Sequence, residues 1–407
     1  MSICTTYAGM SSPSRPEAPV RDPNVAGEQY GPGSKPHVCF VAPMTWPVLA
    51  GDASIKVVGG AEVQQSIIAR ALASRGYRVS MICHDYGQPD KAVVDGITVY
   101  KAHAPDEGLP VIRYVHPRMT RLWHALKRVN ADVYYQRTSD VVTAVTALFC
   151  RRYGKKSIYA GASDMDFVPG SEEMQYARDK CVYRFGLRRM DQVIVQNKVQ
   201  LDTLKRNFGR DAPLVRSCYA PPPGARADRQ GYVLWAAVMR DTKRPELAFE
   251  IARRLPHLRF VMIGGNEIGR GREYFDKVAV LARDVPNVEF VGFVPYSHVD
   301  QYFNGARILL NTSLFEGFPN TFLQAWSRGL PTVCFIDPES REEGERVTET
   351  VSDVDDACAR VERLMSDDIA WQRSSERCLR HFKRVHSVEA MLAAYEPILA
   401  SLGGRLR

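Results

Sequence analysis

The sequence predicts an α/β protein of two Rossmann-like, doubly wound domains facing each other across a cleft, with helices at the C-terminus. Three observations carry this reading. Short apolar runs alternate with i, i+4 helical periodicities over most of the chain. The alternation breaks at residues 217–231, where three consecutive prolines interrupt it. The length of 407 residues exceeds one typical domain, and 45% hydrophobic and 25% charged residues supply an ordinary globular core.

Residues 1–35 are rich in Ser, Pro, Gly and Ala without periodicity and are expected to be a disordered tail. The apolar run 38–42 reads as a buried strand, and the long loop after it, to about residue 58, has the length of a functional loop. Gly59-Gly60 opens a helix carrying Val63, Ile67, Ala71 and Leu72 on its inner face and closed by Gly76. The strand 79–83 completes a βαβ unit. Strands at 132–136, 157–160 and 192–196 and helices at 140–153 and to about 208 continue the series. After the prolines a second series runs through strands 232–237, 259–263, 288–294, 306–311 and 331–335, with helices between, 245–255 among them. Helical patterns at 353–365, 371–384 and 388–401 end the chain. The expected units are therefore an N-terminal domain over 36–220, a C-terminal domain over 221–385, and a last helix over 386–407 placed to pack back on the N-domain.

Charge is unevenly divided. Lys and Arg number 54 against 46 Asp and Glu, a net +8. Residues 1–226 hold 30 basic and 20 acidic residues, a net +10, and residues 227–407 hold 24 and 26, a net −2. Such a one-sided excess suits a polyanionic partner. No reader motif for nucleic acid and no phosphate-cradling G-x-x-x-x-G-K-[ST] loop is present, which argues against nucleic-acid binding and against a P-loop nucleotidase. The nine cysteines form no C-x-x-C pair, and the nine histidines show no metal spacing. With no signal-peptide order and no apolar stretch near the roughly 18 residues of a membrane span, a cytoplasmic protein is expected. Residues 116–129 form an amphipathic helix with basic edges, suited either to an anionic membrane or to ordinary packing on a sheet. Asp164-Met165-Asp166 has the form of a metal-binding D-x-D, but so does Asp353-Val354-Asp355, and no metal is expected at either.

The segment that carries chemistry is E-G-F-P-N-T-F-L-Q-A-W-S-R-G-L-P over 316–331. A strand leads into a tight loop and then a helix with proline in its first turn. The free N–H groups of such a turn favour a phosphate, whereas Glu316 is better used in accepting hydrogen bonds from hydroxyls. Asn320 and Gln324 share one helix face, with Phe322 and Trp326 on the other.

This segment resembles the E-x7-E motif of the family 4 retaining glycosyltransferases, which have the two-domain GT-B fold. Gly59-Gly60-Ala61-Glu62 is similar to that family's N-terminal glycine motif, and Lys243-Arg244-Pro245-Glu246 to its donor-phosphate motif. The runs V-M-I-G-G (261–265) and V-E-F-V-G-F-V (288–294) are similar to the strands that line its nucleotide pocket. The resemblance implies transfer of a hexose from a nucleotide diphosphate-sugar with retention, without cofactor or metal. By position it implies catalytic roles for Lys243 and Glu316. It implies donor contacts from Gly317, Phe318, Pro319, Asn320, Thr321, Gln324, Gly264, Gly265 and Val294, with Arg240 near enough in sequence to assist. Gly59, Gly60 and Asp164 would lie on the acceptor side. The acceptor implied is a lipid-linked or anionic glycan in polysaccharide (exopolysaccharide) assembly, with peripheral contact to an anionic membrane. Three positions depart from the family: Gln324 replaces its second glutamate, Val238 an arginine, and Ser163 a histidine. They leave two alternatives, a non-catalytic GT-B scaffold protein and a sugar-nucleotide isomerase on the same fold.

Overall fold

The computed structural model describes residues 35–51, 59–105, 107–108, 114–228, 231–266, 271–316 and 318–404. The expected tail therefore lies, save Lys35, outside the described residues. The first domain runs through β1 (Val38–Val41), α1 (Trp46–Ala50), α2 (Gly60–Ser74), β2 (Val79–Cys83), β3 (Ala92–Val94), β4 (Ile97–Lys101), α3 (Thr120–Val129), β5 (Val133–Arg137), α4 (Val142–Tyr153), β6 (Lys156–Ala160), α5 (Ala177–Leu187), β7 (Gln192–Ile194) and α6 (Lys198–Phe208). Its seven-stranded sheet has the order β3-β4-β2-β1-β5-β6-β7, parallel apart from β3, which pairs antiparallel with β4. The inner strands β1 and β2 are buried at every position, as both-face coverage of a parallel sheet requires.

The second domain runs through β8 (Tyr232–Ala236), α7 (Pro245–Arg254), β9 (Phe260–Ile263), α8 (Glu273–Arg283), β10 (Val288–Gly292), α9 (Tyr296–Asn304), β11 (Ala306–Asn311), α10 (Asn320–Trp326), β12 (Thr332–Cys334), β13 (Arg341–Glu342), β14 (Glu345–Arg346), β15 (Glu349–Thr350), α11 (Val354–Ser366) and α12 (Asp368–His381), and the last helix, α13 (Val388–Gly404), returns to the first domain. Its six-stranded sheet has the order β10-β9-β8-β11-β12-β15, with β13 and β14 a separate hairpin. The molecule is thus two Rossmann-like domains with C-terminal helices.

Four details differ from the sequence expectations. The β3–β4 hairpin turns on Asp95 and Gly96, both at positive φ, and was not anticipated. The loop after β1 contains the short helix α1, and residues 52–58 lie outside the described residues. The strand expected over 288–294 stops at Gly292, whose φ of 76° ends the extended run, so Val294 sits in the following loop. Asp353 is not inside a helix but caps α11, accepting from the Asp356 N–H.

Helices divide the N-domain's charge between its faces. Side chains of α3 and α4 pack with Cys39, Val41, Ile82 and Tyr134 on one face of the sheet, and those of α5 and α6 with Tyr159 and Val193. On the other face α2 and α13 pack against Phe40, Met81 and Tyr135, where the Tyr135 and Tyr395 hydroxyls lie 3.2 Å apart. Helices α3–α5 carry Arg121, Lys127, Arg128, Arg151, Arg152, Arg178, Lys180 and Arg184 against the single acid Asp179. Helices α2 and α13 carry Arg70 against Glu62, Glu389 and Glu396. The apolar stripe of α3 faces inward: Leu122, Leu126 and Val129 are buried, so this stripe is committed to the core.

Candidate functional site

The candidate site sits on the loops after β8 and β11, which the sheet order makes neighbours. The loop after β8 carries a one-turn helix, Asp241–Lys243, that ends on Arg244 in the left-handed region (φ 47°). A non-glycine residue is costly there, and side-chain bonds hold it. Arg244 Nε donates to Thr312 O (2.7 Å) and its second nitrogen to Ser313 O (3.2 Å). Leu314 N–H donates back to Thr242 O (2.9 Å). Trp235 Nε1 donates to Thr312 Oγ1 (2.9 Å), which donates to Lys243 O (2.7 Å). The two loops are zipped together from main chain to side chain.

Within that frame the Lys243 ammonium donates to Glu316 Oε1, which also accepts from Ser313 Oγ at 2.7 Å. Side chains of the pair are only 11% and 13% exposed, which separates this contact from the solvated pairs of the surface. Burial lowers the Lys243 pKa below the usual lysine range; Glu316 works against that shift, and the Arg240 guanidinium adds to it as a nearby like charge. Lys243, Arg240 and Glu316 therefore lie together. Thr312 and Ser313 complete the arrangement and were missed, and Arg244, read only as part of the donor-phosphate motif, binds them; only the tertiary pairing of the two loops reveals this.

The remaining positions distribute around this centre. Gly317 lies outside the described residues. Phe318 packs its ring away against Trp326 (centroids 5.8 Å apart). Pro319 is the N-cap of α10 rather than a first-turn residue, and α10 is seven residues long. So short a helix contributes little macrodipole, and its first N–H groups, at Asn320 and Thr321, precede the first intrahelical bond. Gln324 is 6% exposed. Behind β8, Gly264 is required: at φ 154° a Cβ would strike Ala237 O. Gly265 O accepts from Met239 N–H at 2.9 Å. Val238 is exposed, and Val294, beyond β10, is half-buried.

Across the cleft, Gly59 is the N-cap of α2. Gly60 meets Asn320 directly: Asn320 Nδ2 donates to Gly60 O (3.3 Å), and a Cβ at Gly60 would lie 2.7 Å from that nitrogen. Gln64 Nε2 donates to Asn320 Oδ1 (3.1 Å) and to Cys218 O (2.7 Å), so one side chain joins both domains and the linker. Asp164 stands beyond β6, where its Oδ1 accepts from Asn197 Nδ2 (2.9 Å) and Gln200 Nε2 (3.0 Å). Its D-x-D partner Asp166 is buried, accepts from the Ala162 and Ser163 N–H groups, and has its pKa raised by burial. The two carboxylates thus serve different local bonds. Among the described residues no cluster of three or more His, Cys, Asp or Glu side chains is disposed to hold a metal.

Comparison with known proteins bears on this geometry. The profile "Glycosyl transferase 4-like domain" matches residues 59–220, and "Glycosyl transferases group 1" matches residues 232–367. The chain belongs to the GT-B glycosyltransferases. Sucrose-phosphate synthase from Thermosynechococcus elongatus is a similar solved structure for this glycosyltransferase, with a TM-score of 0.68 and 15% identity over 91% of this chain and 100% of that one. Anabaena HepE in complex with UDP and glucose gives 0.69 and 14% over 90% and 100%. The lipopolysaccharide outer core galactosyltransferase WaaB gives 0.60 and 16% over 90% and 99%. At such identities these structures establish the shared architecture. A comparison with curated proteins gives no match. No helix among the described residues is long and apolar enough to cross a membrane.

Proposed function

We propose that this glycosyltransferase moves a hexose from a nucleotide diphosphate-sugar to a lipid-linked or anionic glycan in polysaccharide assembly, with retention of configuration. The observation that carries the reading is the buried Lys243–Glu316 pair on two zipped loops at the carboxyl ends of adjacent strands. Doubly wound sheets bind their ligands there. On this reading an incoming diphosphate takes the Lys243 ammonium, with Arg240 beside it, and Glu316 Oε1 is released to accept hydrogen bonds from hydroxyls of the donor sugar. A fixed cation where charge grows on the leaving diphosphate stabilises the transition state more than the ground state. Such chemistry calls for no metal or cofactor. The UDP and UDP-glucose complexes of HepE support a nucleotide-sugar donor, and the galactosyltransferase relative supports a glycan acceptor. Gly264 and Gly265 would flank the nucleotide with Val294; Gln324 would meet its ribose, and Asn320 and Thr321 the diphosphate. Gly59, Gly60 and Asp164 would face the acceptor.

The basic layer α3–α5 supports a peripheral cytoplasmic-face contact with an anionic membrane. Among the described residues Arg151, Arg152, Arg188 and Arg189 form no ion pair, and Leu148, Val182 and Phe185 on α4 and α5 are exposed.

The test is a purified chain offered radiolabelled UDP-, GDP- and ADP-sugars with a lipid-linked oligosaccharide extract. Label should move to the lipid fraction with one donor. Donor consumed without acceptor would point to an isomerase, and a folded chain that binds no nucleotide to a scaffold protein.

A further inference from the structure

A buried aromatic stack leads from the loop of Glu316 to the place where the chain passes between domains. Phe318, two residues after Glu316, stacks on His386 with ring centroids 5.0 Å apart and an interplanar angle of 30°. Trp326 closes the stack 5.8 Å from the same imidazole. His386 is 0% exposed and ends the turn Phe382–His386, through which the chain leaves α12 for α13 on the N-domain sheet. The same residue holds the other interdomain crossing. Its Nδ1 lies 2.7 Å from Ser217 O, and its own carbonyl accepts from Tyr219 N–H at 3.1 Å.

A carbonyl oxygen only accepts, so the proton resides on Nδ1 and Nε2 is a bare acceptor. Nε2 is buried without a hydrogen-bond partner among the described residues, an arrangement that costs stability. Burial holds the ring neutral, with its pKa lowered to about 3. A phenylalanine would fill the same space without the bare nitrogen. What it could not supply is the bond to Ser217.

We propose that His386 is a positioning residue for sugar transfer: one ring grips the domain crossing through Nδ1 and the donor loop through Phe318, so the relative placement of the domains sets the placement of Phe318 and Pro319 beside Glu316. The proposal rests on the reading of that loop as the donor site. Separation in sequence excludes a local role, since the Ser217 contact spans 169 residues.

The test is calorimetric titration of the full chain with UDP, GDP and ADP, measured well below the melting midpoint, where a merely structural residue leaves affinity unchanged. His386→Phe keeps the ring and loses the bond; it also removes the bare acceptor, so its melting midpoint should stay within about 2 °C of wild type. Its diphosphate Kd should nevertheless rise by about fivefold or more. His386→Asn, which restores a donor near the Nδ1 position, should recover part of the affinity lost in His386→Leu. Phe318→Leu should weaken binding in the wild-type background and add less than about twofold on top of His386→Leu, because that stack is already broken. His386→Phe binding like wild type, or effects of Phe318→Leu and His386→Leu that multiply, would overturn the proposal. A wild-type chain that binds none of the three diphosphates would overturn the donor-site reading and this inference together, whereas normal wild-type binding with indifferent variants would overturn the inference alone.

Discussion

The Lys243 ammonium donates to Glu316 Oε1 across 73 residues of sequence, joining the loop after β8 to the loop after β11. Adjacent strands place the two loops side by side, and the Arg244 bonds to Thr312 and Ser313 fix their spacing. Lys243→Ala removes the proposed leaving-group cation. Turnover of the nucleotide sugar should drop by roughly 10²–10³, the scale of losing one preorganised electrostatic contact. Radiolabel transfer measures it, and unchanged turnover would sink the assignment.

The same pair makes an alkaline prediction. Burial lowers the Lys243 pKa, while Glu316 raises it in partial opposition. The ammonium should therefore be lost, and turnover with it, at a pH below the ordinary lysine range. Glu316→Gln removes the opposing charge and should move the residual alkaline limb to still lower pH. A pH–rate profile whose limb stays put in that variant would show that another group titrates.

Gln324 stands where the resembling family has a glutamate, and it is nearly buried. Gln324→Glu should tighten nucleotide binding by supplying a charged acceptor to ribose hydroxyls. Titration calorimetry reads the change, and an unaltered Kd would remove Gln324 from the ribose contact.

Histidines held neutral by burial set the acid limit of stability. Burial lowers His37 to about 3, His84 to about 4 and His386 to about 3, below the ordinary value near 6.5. Each binds its proton more readily when unfolded, so its neutral-state stability is complete above pH 6.5 and lost as pH falls toward the folded values. The melting midpoint should fall between pH 7 and pH 5, and His386→Phe should flatten that fall. Parallel curves for the two proteins would count against a neutral buried His386.

Membrane contact makes a charge prediction. Wild-type chain should sediment with phosphatidylglycerol-containing vesicles at low salt and be released at high salt. Arg151→Glu with Arg152→Glu, at the exposed end of α4, should cut binding by about tenfold or more, given roughly 1 kcal/mol per surface cation. Salt-indifferent sedimentation, or none, would remove the membrane from the reading.

Local pattern explains what could be read before folding. The strands showed themselves as apolar runs because both faces of a parallel sheet are covered. Glu316 and Lys243 stood out because each lies in a compact motif. The β3–β4 hairpin carried the legible signal Asp95-Gly96 between short β-branched runs, yet Ala92–Val94 is too short and exposed to show burial. Helix α5, with its charges and Gly186, has little apolar periodicity to find. His386 offered no signal, being a lone histidine between two helical patterns.

The sequence by itself determined the alternation of elements, the break near the prolines and the residue types available at each strand end, because these follow from local backbone preference and periodic burial. It also determined that the N-terminal part is basic. Tertiary structure alone decided that α3–α6 hold nearly all the N-domain's helical cations while α2 and α13 together are acidic. It decided too that Lys243 meets Glu316, that Asn320 reaches Gly60, and that one imidazole ties Ser217 to Phe318. Those contacts join residues 68 to 260 apart, whose meeting depends on strand order and domain crossing, and no local rule of sequence encodes either.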